Sequence, residues 1–112
     1  MKIRNLYAVP GRPVHGGTVV QWELIAENEF ESAINVFHFN IIAPGIALEP
    51  HQHKMEEQVF FILGGKGIIK VGKEQHSVRE GDAIYLPPGR DHSLENTGTH
   101  PLRFFAIGAK IA

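Results

Sequence analysis

Two histidines separated by a single residue, His51 and His53, are followed four residues later by Glu57, and His92 arrives on a later segment. Imidazole nitrogens and a carboxylate oxygen are donors for transition-metal ions, and this mixed set of low net charge suits Mn, Fe, Co, Ni, Cu or Zn but not calcium. In an extended segment alternate side chains share a face, so His51 and His53 project together with Cα atoms about 6.6 Å apart. Glu57 keeps the same parity if the strand continues, and a bend around Lys54, Met55 and Glu56 brings its carboxylate to the same point. His92 has to come from a neighbouring strand, beyond the stiff Pro87-Pro88-Gly89 turn. If one divalent ion sits there in octahedral coordination, four protein ligands leave two positions for water, dioxygen or a bidentate substrate, which a catalytic site needs and a structural one does not.

The elements that position these residues read as strands. Twelve Gly and seven Pro cut the chain into short segments rich in Val, Ile and Phe, a composition that favours strands over helices. The segments expected to be extended are Thr18 to Ala26, Ile34 to Ile42, Glu57 to Leu63, Gly67 to Val71, Gln75 to Val78, Ala83 to Leu86, Ser93 to Glu95 and Leu102 to Ile107. Turn residues separate them at Gly64-Gly65, Val71-Gly72-Lys73, Glu80-Gly81-Asp82 and Pro87-Pro88-Gly89. Short strands at this spacing point to an all-β sandwich or barrel. Glu27 to Ser32 reads as a single polar helical turn or a loop.

At 112 residues the chain suits one domain, 1–112, with an N-terminal arm at about 1–17 and a barrel at about 18–108. Eleven basic against twelve acidic residues leave a formal charge of −1, and no basic run offers a footprint for nucleic acid. Cysteine is absent, which excludes disulfides, thiolate metal sites and a cysteine nucleophile. The N-terminal residues lack the apolar core of a secretory signal and no apolar run approaches a membrane span, so a soluble cytoplasmic protein without a membrane partner is expected.

The framing of the four candidate ligands resembles both halves of the cupin signature. Its first half runs Gly, five residues, His-X-His, three or four residues, Glu, six residues, Gly, and Gly45, His51, His53, Glu57 and Gly64 meet it. The second runs Gly, five residues, Pro-X-Gly, two residues, His, three residues, Asn, and Gly81, Pro87, Gly89, His92 and Asn96 meet that. The resemblance implies a small jelly-roll β-barrel (double-stranded β-helix) with His51, His53, Glu57 and His92 as metal ligands inside it. Dioxygenases, decarboxylases, isomerases, epimerases, lyases, storage proteins and ligand-sensing domains share that fold, so the resemblance does not select a reaction. No helix-turn-helix fits outside the barrel, which weakens a regulatory reading.

His38 and Asn40 share one face of the Ile34 to Ile42 segment, with Phe37, Phe39 and Ile41 on the other. If the polar face lines the cavity, His38 can act as a general base and Asn40 can donate a hydrogen bond. The residue types favour the opposite arrangement, with His38 and Asn40 facing solvent above a packed phenylalanine face. Tyr85 is expected to pack, as are Phe61, Leu63, Ile69, Phe104 and Phe105, while Trp22 is expected to anchor a core or dimer contact. His15, His76 and His100 fall in or beside turns and are expected to be solvated.

The function expected is that of a metal-dependent enzyme acting on a small oxygenated metabolite. Fe(II) would support dioxygenase chemistry, and Mn, Ni or Zn would support Lewis-acid isomerase or lyase chemistry. The competing class is a module in which the metal fixes a small ligand without turnover. A homodimer is also expected, because so small a barrel cannot hide both sides of its sheets.

Overall fold

A computed structural model of the chain describes residues 1–51 and 54–111. Nine strands are seen among the described residues: β1 (Arg12–Val14), β2 (Val19–Ile25), β3 (Ile34–Ile42), β4 (Glu56–Gly64), β5 (Lys66–Val71), β6 (Glu74–Arg79), β7 (Ala83–Leu86), β8 (His92–Asn96) and β9 (Leu102–Lys110). They form an antiparallel six-stranded sheet, ordered β1-β2-β3-β9-β4-β7, and an antiparallel three-stranded sheet, ordered β6-β5-β8. The all-β jelly-roll expectation is therefore met. Strands β3 and β7 have the expected bounds, and the others differ by a residue or a few at their ends. β1 was not expected; its three residues include Pro13 and pair only with the start of β2. Glu27–Glu29 forms a single 3-10 turn.

The core lies between the two sheets. Val19, Ile42, Phe60, Ile62, Leu86, Leu102, Phe104 and Ala106 come from the larger sheet, and Ile69, Val78 and Leu94 meet them from the smaller one. Burying side chains of this size contributes about 1.5–3 kcal/mol each against exposure, the main term opposing chain entropy. Period-two alternation is clearest in β9, where Leu102, Phe104, Ala106 and Gly108 are buried.

Two features fix the smaller sheet and its link to β3. Gly67 passes so near β8 that a Cβ there would lie 2.2 Å from the Glu95 carbonyl oxygen, so no side chain fits. Asn96 is wholly buried, and its Nδ2 donates to the carbonyls of Ile42 at 2.8 Å and His100 at 2.9 Å, while its Oδ1 accepts from the Gly98 amide at 2.9 Å. Its carboxamide thus ties β8 to the end of β3 and to the following turn, with every bond satisfied on the protein. No helix among the described residues is long and apolar enough to cross a membrane.

Candidate metal centre

His51 does not lie in a long strand. It forms an isolated bridge with His92, the first residue of β8, through two backbone hydrogen bonds of 3.1 and 2.9 Å. That bridge sets the two side chains next to each other, with ring centroids 4.2 Å apart and Nε2 atoms separated by 3.1 Å. The Nδ1 of His51 lies 3.0 Å from the Glu49 carbonyl oxygen, which can only accept. Nδ1 therefore carries the proton, and the lone pair is at Nε2. Two metal–nitrogen bonds of about 2.1 Å at right angles would set their nitrogens about 3.0 Å apart, so this pair fits adjacent corners of an octahedron. His92 is 3% exposed, which keeps its imidazole out of bulk water.

Beside His51 a cavity of about 160 Å³ opens against the inner face of the larger sheet, lined from β2, β3, β4 and β9. Val19, Val36, Leu48, Phe60, Phe104 and Ala106 form its apolar wall, and Gln21, His38, Asn40, Glu56 and Gln58 its polar side. The polar face of β3 therefore looks inward, contrary to the solvent-facing arrangement that its residue types favour. The reason is that the opposite face is also covered: Trp22 packs on Phe39 at 5.6 Å, and Phe105 packs on both Phe37 and Phe39. Both faces of β3 are occupied, so its phenylalanines do not mark the core side.

His38 stands at the cavity with its Nε2 3.6 Å from a carboxylate oxygen of Glu23. Burial holds its pKa below the ordinary value of 6.5, and the negative charge of Glu23 offsets part of that shift. At neutral pH the imidazole is uncharged and able to accept a proton. Next to it along β3, the Oδ1 of Asn40 is buried without a hydrogen-bond partner.

The carboxylates of β4 are arranged differently from the expectation. Glu57 is absent from the cavity lining and projects to the outer face of the large sheet, where its carboxylate accepts a hydrogen bond from the Tyr85 hydroxyl. Burial, and next the charge of Glu57, push the Tyr85 hydroxyl pKa up. Glu56 and Gln58, on the opposite parity, line the cavity instead. His53 lies outside the described residues. Among the described residues no three His, Asp or Glu side chains converge as a metal-holding group, so His51 and His92 are the part of the expected quartet that is seen together.

Several other expectations are corrected. Tyr85 is 57% exposed and Phe61 40%, both on the outer face, because Val59, Phe61 and Tyr85 share the parity of Glu57. His15 is exposed in a turn, as expected, and its ring also lies 4.8 Å from that of His51 and lines the cavity. It sits in a left-handed turn, with φ of 53° followed by 68° and 88° at Gly16 and Gly17. The pair of glycines after a histidine was the available signal for that turn. Gln21, Glu56 and Gln58 carried no signal beyond strand parity.

Residues 38–108 match the cupin domain family model, Cupin_2. The chain is 31% identical over 87 residues to an uncharacterized protein of Methanocaldococcus jannaschii, an alignment covering 78% of this chain and 69% of that one. It is 28% identical over 91 residues to the oxalate-binding protein of Thermotoga maritima, covering 81% and 75% of the two chains. Among solved structures, the crystal structure of a predicted oxalate decarboxylase from Thermotoga maritima superposes with a TM-score of 0.92 at 22% identity, over 98% of this chain and all of the other. Signature residues, jelly-roll topology and family match agree, and the chain belongs to the cupin domain family.

Proposed function

We propose that the protein is a metal-dependent enzyme of the cupin type, acting on a small oxygenated molecule in the cavity beside His51. One observation carries this reading: two imidazole Nε2 atoms lie 3.1 Å apart, with the His51 tautomer fixed from behind, next to a cavity of about 160 Å³. His51, His92 and His53 would hold one divalent transition metal, with an oxygen donor from β4. The ion, when bound, supplies Lewis-acid polarisation of a substrate oxygen or, if redox-active, dioxygen chemistry.

The chain's own residues supply the rest. His38, neutral and within the cavity, is the group placed to accept a proton from substrate. The partnerless Oδ1 of Asn40 calls for a hydroxyl or N–H on the ligand, because a buried acceptor is costly to leave unpaired. The apolar wall gives a guest hydrophobic contact beside these groups. No Lys or Arg lines the cavity among the described residues, so a charged substrate must find its counter-charge at the metal. The name of the Thermotoga relative makes oxalate, a small oxygenated compound, the first to test in this cavity.

Elemental analysis followed by a metabolite panel, with oxygen uptake and carbonyl turnover read in Mn-, Fe-, Ni- and Zn-loaded protein, tests the reading. Turnover with one metal supports it. Metal retention with ligand binding but no turnover would favour the non-catalytic module, which the relative's description as a binding protein also suggests. Failure to retain any metal would overturn both.

We also propose that a second copy covers the outer face of the large sheet. Val59 pairs with Tyr85 on one side and Ile107 on the other, and Phe61 lies two residues along, so these exposed side chains form one continuous patch. Light scattering giving a particle near the 12.4 kDa chain mass would overturn this.

A further inference from the structure

We infer that the oxygen donor from β4 is the side-chain carbonyl of Gln58, backed by the carboxylate of Glu56, and that Glu57 plays no part in holding the metal. The inference rests on the metal reading above. Side chains alternate along β4, and Phe60 and Ile62, both buried, fix which parity faces the interior. Gln58 and Glu56 share it and line the same cavity as His51. Phe60, two residues beyond Gln58 on that face, presents its ring to His92 with a centroid distance of 6.1 Å. The face of β4 that carries Gln58 is thus the one turned toward the histidine pair. Glu57 faces away and is engaged with Tyr85.

Hydrogen bonding orients the amide. Gln58 Nε2 donates to Oε1 of Glu56, and Asn35 Nδ2 donates to Oε2 of the same carboxylate at 2.9 Å. A carboxylate accepts and cannot donate, so the amide nitrogen of Gln58 must face Glu56 and its carbonyl oxygen is left to face elsewhere. A donor polarised from behind by a carboxylate is the arrangement that commonly orients metal-bound histidines, here built on an amide.

The surroundings are shaped for this chain of three groups. Asn35 sits at a bulge in β3, where the register with β9 shifts between Ile34 and Val36. Opposite Gln58 in the register stands Gly108, and a Cβ there would come within 3.1 Å of both Asn35 Oδ1 and Glu56 Oε1. Space for the linked carboxylate and amides exists because that position carries no side chain.

Binding of Mn(II) alone to metal-stripped full-length protein, with free ion quantified by its electron paramagnetic resonance signal, tests the assignment. Wild type should bind one ion per chain, Gln58→Ala should weaken binding by about 10- to 100-fold, and Glu57→Ala should stay within about twofold of wild type. Gln58→Glu, which keeps an oxygen at the same place, should retain at least wild-type affinity and serves if Gln58→Ala fails to fold. Loss of binding in Glu57→Ala, with Gln58→Ala unaffected, would overturn the assignment while leaving the metal reading intact. No binding by folded wild type would overturn the metal reading and this assignment with it.

Discussion

Two asparagines are buried in this barrel to nearly the same extent, Asn96 at 0% and Asn40 at 4% exposure, and they are treated in opposite ways. Asn96 spends its whole carboxamide on the carbonyls of Ile42 and His100 and the amide of Gly98. Asn40 keeps an Oδ1 with no partner on the wall of the cavity. A fully paired buried amide holds the fold together, whereas an unpaired one is a cost that a ligand can relieve. The closing region around Asn96 is therefore built for stability, while around Asn40, His38 and His51 a polar atom is left open on a cavity wall, as the proposed binding function requires.

The difference can be broken by experiment. Asn96→Ala strands two carbonyls and an amide and should cost about 3 kcal/mol in urea denaturation, with metal affinity in the surviving folded fraction unchanged. His51→Ala should do the reverse, lowering Mn(II) affinity at least about 100-fold with little change in the unfolding midpoint of metal-free protein. Asn40→Ala should shift stability by no more than about 1 kcal/mol, and a loss matching that of Asn96→Ala would erase the distinction.

A smaller effect concerns pH. His38 has a folded-state pKa below its unfolded value of about 6.5, so the unfolded chain binds the proton more readily. Its contribution to stability is present above pH 6.5 and is lost as pH falls toward the folded pKa. His38→Gln should flatten that part of the stability profile of metal-free protein, and an unchanged slope would contradict the burial of its imidazole. Smallest in stability is Phe61→Glu on the outer face, which should leave the fold intact and convert the proposed dimer to monomers in light scattering.

Most of the fold was legible in the sequence because Gly and Pro punctuate it where reversals occur, and because β-branched and aromatic residues fill the strands. β1 escaped notice because three residues containing a proline carry no periodicity. His51 was marked by its spacing from His53, and His92 by its place in the second half of the signature. The β4 donor was not, for a physical reason: Val59 to Leu63 is apolar on both parities, so alternation cannot say which side is buried. Residue counting was ambiguous as well. Two glycines adjoin at the end of β4, and the one with positive φ, 87°, is Gly65 and not Gly64. Six intervening residues counted back from Gly65 reach Gln58, and counted back from Gly64 they reach Glu57. The inward orientation of His38 is hidden in the sequence for a related reason, since Phe37 and Phe39 stack on the far side of the sheet.

The succession Glu56-Glu57-Gln58 puts three oxygen-bearing side chains on consecutive positions, two looking inward and one outward. Slippage of this strand by one step against β9 would export Gln58 together with Glu56 and import Glu57, exchanging an amide backed by a carboxylate for a lone carboxylate at the same formal charge, without any codon for these residues changing. An insertion or deletion in the preceding loop is thus a route by which such a barrel could retune its preference among metal ions, and loop length becomes a heritable dial on its chemistry.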